Sequence, residues 1–195
     1  RTIREQVTNQ IRDDVVAGKF PAGEPLREAE LAERFGVSRG PIRDAFLQLS
    51  QEGLLGYQAN RGVTVRKPPR AENRDFIVSL RQQIESYIIR RGLDQLRNGS
   101  LAPIKAALND LKSACAEGDV AAVAKCDMAF HEAILVACYG DEFLPVWKWL
   151  CSQMLLTYSR LQNYQQVYDE HVEILEALEG GRKQTAIAAM KANIR

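Results

Sequence analysis

The chain has 195 residues, 46% of them apolar and 26% charged, and its formal net charge is +1. That much apolar material suits one large or two small domains with a buried core and excludes a disordered tail. No apolar run is long enough to span a bilayer and no signal-peptide pattern is present, so a cytoplasmic protein without a membrane partner is expected.

The charge divides unevenly: residues 1–70 carry +3 and residues 71–195 carry −2. With so small an imbalance, local basic clusters rather than a broad field have to supply any attraction for a polyanion. In chain order, Ile3, Val7, Ile11 and Val15 form an apolar stripe at helical spacing, and Gly18 with Pro21-Ala22-Gly23 ends that helix. A second helix buries Leu26, Leu31, Ala32 and Phe35, stops at Gly36, and leaves Val37 to plug the corner. Ser38 then stands where a side chain caps the next helix, and Pro41 falls in its first turn, where no intrahelical donor is lost.

On that third helix Ile42, Ala45, Phe46 and Leu49 face the core, which turns Arg39, Gly40 and Arg43 to solvent at the N-terminal end. A helix pair with a glycine corner and arginines at this end is the pattern of a helix-turn-helix that enters a DNA major groove. Guanidinium groups pair with guanine O6 and N7 or clamp phosphates, and the spacing does not tell which arginine does which. Leu54-Leu55 and Val63-Thr64-Val65 read as two short strands around Ala59-Asn60-Arg61-Gly62, a wing with Arg61 at its tip and Arg66 and Lys67 nearby. Helix pairs alone occur in many proteins that never touch DNA; the basic wing in this order is what tips the balance.

Residues 3–67 resemble the winged helix-turn-helix of GntR-family transcription regulators, through Pro21-Ala-Gly, Leu31-Ala-Glu, Gly36-Val-Ser-Arg, Pro41-Ile-Arg-Asp-Ala, Gly53-Leu-Leu and Asn60-Arg-Gly. The resemblance implies operator contacts from Ser38, Arg39, Gly40, Arg43 and Gly62, and adds Arg27. Gly40 departs from the family, where threonine is common after the arginine.

Lys67-Pro-Pro-Arg70 stiffens a connector, after which helical periodicity runs to the end with no strand signal. Punctuation places six helices at about 72–98, 102–117, 119–139, 142–161, 164–179 and 182–195. The expected architecture is mainly α: a winged helix-turn-helix over 1–67, a linker at 68–71 and an all-α bundle over 72–195. Cys115, Cys126, Cys138 and Cys151 are widely spaced, without a Cys-x-x-Cys pair, and read as free thiols.

The two histidines of the chain are His131 and His171. Asp127 and His131 stack one turn apart, which serves either a helix-surface contact or a shared divalent cation. His171 lies nine residues before Gly180 and Asn193 twelve after Gly181. If the glycines make a sharp turn, a rise of about 1.5 Å per residue puts these side chains roughly 14 and 18 Å from it, at similar heights.

This half resembles the all-helical FCD effector domain of the FadR subfamily of GntR regulators, and six helices suit its VanR-type branch. The resemblance rests on Arg81-x3-Glu85, Asp127-x3-His131, Glu170-His171 with Ile174-Leu175-x-Ala177, and the last helix. It implies a divalent metal, zinc or nickel, on Asp127, His131 and His171, with Asn193 where the family usually has a third histidine. It also implies Arg81 in an effector cavity, where a guanidinium grips a carboxylate; an ordinary Arg81–Glu85 ion pair is the plain alternative. Arg160, Tyr158 and Tyr87 are further lining candidates.

Together these features imply a ligand-responsive regulator and not an enzyme: a homodimeric repressor binding double-stranded operator DNA under the control of a small organic acid. The alternatives are a metal-dependent hydrolase and a metal sensor built on the Asp127, His131 and His171 set.

Overall fold

A computed structural model describes residues 2–98, 100–157 and 163–195, with backbone only at 97 and 98. It falls into two compact units, the first running to Pro69 and joined by the stretch from Ser152, the second formed by the rest.

In the first unit, α1 (Ile3–Val16) opens with a reciprocal cap: Thr2 Oγ1 accepts from Glu5 N–H at 3.2 Å while Thr2 N–H donates to Glu5 Oε2 at 2.9 Å. Helix α2 (Glu28–Phe35) ends at Gly36, whose φ of 65° is the left-handed bend that a side chain would strain. Helix α3 (Arg39–Gln51) follows after the single turn Gly36-Val37-Ser38. Ser38 occupies the N-cap position, but its hydroxyl makes no capping bond to α3, contrary to the sequence expectation.

Val7, Ile11, Val15, Leu31, Ile42, Ala45, Phe46 and Leu49 close one core, roofed by Leu54, Leu55 and Val65. Ile3, assigned to the same stripe, is instead exposed in the first turn of α1. Strands β1 (Leu55–Gln58) and β2 (Gly62–Val65) are longer than expected and pair antiparallel, Leu55 opposite Val65. Asn60 (φ 64°) and Gly62 (φ 76°) make the tight tip possible. The far edge of β2 is covered by the segment before α2, with Leu26 N–H donating to Val63 O and Val65 N–H to Glu24 O. Within this unit the stretch from Ser152 also contributes: Leu155 packs on the core and Gln153 Nε2 donates to Gly53 O at 3.4 Å.

The second unit is helical among its described residues: α4 (Ala71–Asn98), α5 (Ala102–Glu117), α6 (Val120–Ala137), α7 (Leu144–Leu155), α8 (Tyr164–Glu179) and α9 (Lys183–Asn193). Asp119 caps α6 from outside by accepting from Ala121 and Ala122 N–H. The expected helix 142–161 is instead a 3-10 turn, Asp141–Phe143, followed by α7, which stops where Met154 O accepts from both Thr157 N–H and Thr157 Oγ1. Helix α4 lies so close to the end of α6 that a Cβ on Gly92 would stand 2.5 Å from Cys138 Cβ and Cys138 O. Cys138 and Cys151 are buried free thiols, while Cys115 and Cys126 are half-buried.

The Gly180-Gly181 turn forms as expected. Arg182 N–H reaches back to Ala177 O and Gly181 N–H to Leu178 O, with Gly181 at φ 64°. The chain reverses there, and α8 and α9 pack side by side, with α9 also against α4. His171 and Asn193 are thereby brought to one level.

Candidate DNA-reading face and candidate metal centre

Arg39, Gly40 and Arg43 project from the first turns of α3 and are exposed, as are Ser38, Arg27 at the start of α2 and Arg61 at the wing tip; Gly62 is half-buried beside it. The core stripe of α3 explains this: with Ile42, Ala45 and Phe46 inward, residues 39, 40 and 43 fall on the face turned away from the core. Arg39 and Arg61 make no side-chain hydrogen bond or ion pair with the described residues. Arg43 is engaged, donating from Nε to Glu28 Oε2 at 2.7 Å, and Arg27 stands 3.6 Å from Glu30. Glu28 was not singled out in the sequence. It engages Arg43 Nε, and among the described residues the two terminal nitrogens, the pair that an end-on contact to guanine uses, make no hydrogen bond. Arg66 turns back to donate from Nε to Leu55 O, so it braces the wing.

The second cluster is buried. Asp127 and His131 on α6 and His171 on α8 bring ligand atoms within 4.8 Å of one another, and both imidazoles are fully enclosed. His131 Nε2 and His171 Nε2 stand 3.5 and 3.4 Å from Asp127 Oδ1. Asn193, from the last turn of α9, places Oδ1 2.9 Å from His131 Nε2, and its Nδ2 donates to Glu170 Oε2 at 3.2 Å, which fixes which way the amide faces.

The outer ring nitrogens are committed elsewhere. His131 Nδ1 lies 2.7 Å from Glu85 Oε2 and His171 Nδ1 2.7 Å from Val167 O, and since both oxygens only accept, both Nδ1 atoms carry protons. Each Nε2 therefore turns a lone pair toward Asp127 unless it takes a second proton or shares a cation with it. Among the described residues His171 Nε2 makes no hydrogen bond of good geometry, its near neighbour being Asp127 Oδ1 at 3.4 Å. An unpaired acceptor buried beside a carboxylate is costly, and a cation relieves it. The ligand types suit a divalent ion: two imidazole nitrogens, a carboxylate oxygen and an amide oxygen. Ligands held at about 2.1 Å around a tetrahedral ion are about 3.4 Å apart, close to both Asp127–His separations.

The electrostatics favour positive charge beside Asp127, whether a second proton on His171 or a cation. Burial pushes the Asp127 carboxyl up, but the charge of His171, then those of His131 and Arg81, outweigh it and hold the group well below the usual carboxylate range. For His171, burial favours the neutral ring and the Asp127 charge overrides it, so its value is raised. Arg81 is buried and forms the ion pair with Glu85, Nε to Oε1 at 2.8 Å, with its guanidinium over the Trp147 ring at 5.7 Å. Glu85 also accepts from Trp147 Nε1 at 2.6 Å. Despite its burial, the His131 and Arg81 charges and the bonds from His131 and Trp147 hold Glu85 at about 2. The sequence offered Glu85 only as a partner for Arg81, and it gave no sign of Trp147. Arg160 and Tyr158 lie outside the described residues, and Tyr87 is exposed, its ring edge-on to Phe143 at 5.8 Å.

No helix among the described residues is long and apolar enough to cross a membrane. Residues 3–65 match the family described as "Bacterial regulatory proteins, gntR family", and residues 76–195 match the FCD domain. The chain is 25% identical over 199 residues to a Paenarthrobacter nicotinovorans protein named "Probable D-xylose utilization operon transcriptional repressor", covering 97% of this chain and 86% of that one. It is 30% identical over 134 residues to the HTH-type transcriptional repressor RspR of Escherichia coli K12, covering 68% and 58%. Two solved structures share the fold, each with a TM-score of 0.79 and each covering 100% of this chain and 94% of the other: a GntR transcriptional regulator from Rhodococcus sp. RHA1 at 23% identity and McbR/YncC of E. coli at 20%. The matched family and the two named sequence relatives are regulators of transcription, which removes the ground for the hydrolase alternative. A winged helix-turn-helix with exposed arginines, followed by a helical domain with an enclosed Asp-His-His cluster, places this chain in the GntR family of bacterial transcription regulators, with an FCD domain as its second part.

Proposed function

We propose that this regulator is a repressor that binds a pseudo-palindromic operator as a homodimer and is controlled by a small organic acid held in the FCD domain together with a divalent metal ion. Asp127, His131 and His171 hold the ion, with the Asn193 amide oxygen as a fourth, weaker donor. The observation that carries the reading is the inward turn of His131 Nε2 and His171 Nε2 toward Asp127 while both Nδ1 atoms are bound elsewhere.

Charge supports an acidic effector. With neutral imidazoles, Asp127, Glu85 and Arg81 leave the enclosed cluster with one net negative charge. A divalent ion reverses this to one net positive charge, which a monocarboxylate neutralises. The bound ion would supply a positive charge for the carboxylate, and Arg81 stabilises the added charge through the field it already exerts at Asp127. On the DNA side Arg39 and Arg43 read the major groove, with Ser38, Gly40 and Arg27 near the backbone and Arg61 and Gly62 along the wing.

Selecting duplexes from a random pool and then measuring their affinity against a panel of organic acids, with and without a chelator, tests this. An acid that changes operator affinity only when metal is present supports the reading. No selected duplex, or responses that ignore the chelator, overturns it.

A further inference from the structure

Glu85 is a fully enclosed carboxylate that no bulk water reaches, and both of its oxygens are spoken for. Oε2 receives His131 Nδ1 at 2.7 Å, while Oε1 receives Arg81 Nε at 2.8 Å and Trp147 Nε1 at 2.6 Å. The donors come from α4, α6 and α7, so one side chain ties three helices together around the face of His131 opposite Asp127. Burying an ionised carboxylate is expensive, and an apolar residue of the same volume would pack at lower cost. What an apolar residue could not do is choose the tautomer of His131. A ring whose Nδ1 is obliged to donate can offer only Nε2 to the site.

We propose that Glu85 is the positioning carboxylate of the candidate metal centre, holding His131 in the tautomer and orientation that present Nε2 to the ion beside Asp127 and His171. This rests on the metal reading above. Arg81 then has a part in the resting protein that requires no effector: it leaves Oε2 to His131 Nδ1 by bonding Oε1. Trp147 closes the same oxygen from α7 and sits under the guanidinium, so the three donors leave the carboxylate little freedom to rotate. His171 lacks such a partner, for its Nδ1 goes to a backbone carbonyl on its own helix. The two histidines are thus held by different means, and only His131 has an ionised residue behind it.

The chain has two histidines, which makes a direct test practical with the full chain labelled with 15N-histidine. In the ion-free wild type at mildly alkaline pH, long-range 1H–15N correlation should find the His131 proton on Nδ1, and zinc should then shift Nε2. E85Q should lose this tautomer preference and bind zinc about 10- to 100-fold more weakly in competition with a chromophoric chelator. W147F, which removes one of the two donors to Oε1 and leaves Glu85 and Arg81 in place, should keep the Nδ1 tautomer and weaken zinc binding less than E85Q does, whereas a merely structural network would weaken the two variants alike. If E85Q does not fold, the wild-type spectrum decides. A His131 proton on Nε2, zinc arriving at Nδ1, or E85Q affinity equal to wild type overturns the proposal. A wild type that takes up no zinc yet keeps its Nδ1 proton refutes the metal reading and leaves the Glu85 tether supported.

Discussion

Asn193→His is the most informative single change at the site. Asn193 Oδ1 lies 2.9 Å from His131 Nε2, and histidine carries a nitrogen, Nδ1, at the same bonded distance from the backbone. The substitution therefore replaces an uncharged amide oxygen with an imidazole nitrogen at nearly the same point, completing one carboxylate and three histidines. A four-ligand zinc site contributes about 10–16 kcal/mol, or about 2.5–4 kcal/mol per ligand. Taking the amide oxygen at about half an imidazole's share, the gain is about 1.5–2 kcal/mol, which is roughly 10- to 30-fold in affinity. The amide's bond to Glu170 is lost, but Glu170 keeps Arg195 at 2.8 Å, so no buried charge is stranded. Competition titrations with zinc, nickel and manganese provide the assay, with Asn193→Ala as the control. Zinc and nickel should gain, manganese should gain little, and the alanine variant should fall below wild type. A folded Asn193→His protein that binds zinc no better than wild type would refute the assignment of Asn193 as a ligand.

Arg39→Ala should leave unfolding unchanged, because Arg39 has no side-chain partner among the described residues, yet cut discrimination between selected and competitor duplexes by about 1–3 kcal/mol, roughly 5- to 150-fold, in a fluorescence titration. Asp127 raises the pKa of His171 above its ordinary 6.5, so in the ion-free protein this pair stabilises the fold fully below that value and the contribution is lost as pH rises through the raised one. Metal competes for the same nitrogen, so zinc affinity should rise over that interval, and the melting temperatures with zinc and with chelator should diverge as pH increases; parallel curves would contradict the assignment. Gly92→Ala should cost about 1–3 kcal/mol in a urea melt, because the new methyl meets Cys138 Cβ and the Cys138 carbonyl at 2.5 Å and the backbone cannot step aside. Wild-type stability would show that α4 and α6 do not approach as described.

What could be read in the sequence was whatever local chemistry enforces. Gly36 after Phe35, Pro41 in a first turn, and the Ile42, Ala45, Phe46 and Leu49 spacing each constrain the chain within a few residues, so α3 and its outward arginines were visible before any tertiary contact. The Gly180-Gly181 reversal was equally local, and it alone put His171 and Asn193 on one level. What escaped depends on residues far apart in the chain. Glu28 holds Arg43 across 15 positions, Glu85 meets His131 across 46 and Trp147 across 62, and no periodicity encodes those pairings. Arg81 shows the difference most sharply. Its spacing to Glu85 announces an ordinary helical ion pair, worth a few tenths of a kcal/mol on a wet surface. Enclosed between α4, α6 and α7, the same pair has no water to fall back on, so removing either partner strands a charge beside His131. The Arg-x3-Glu motif therefore carries its consequence only through the packing around it, and a change that leaves the motif intact but opens that packing should disturb the histidine as surely as losing the glutamate.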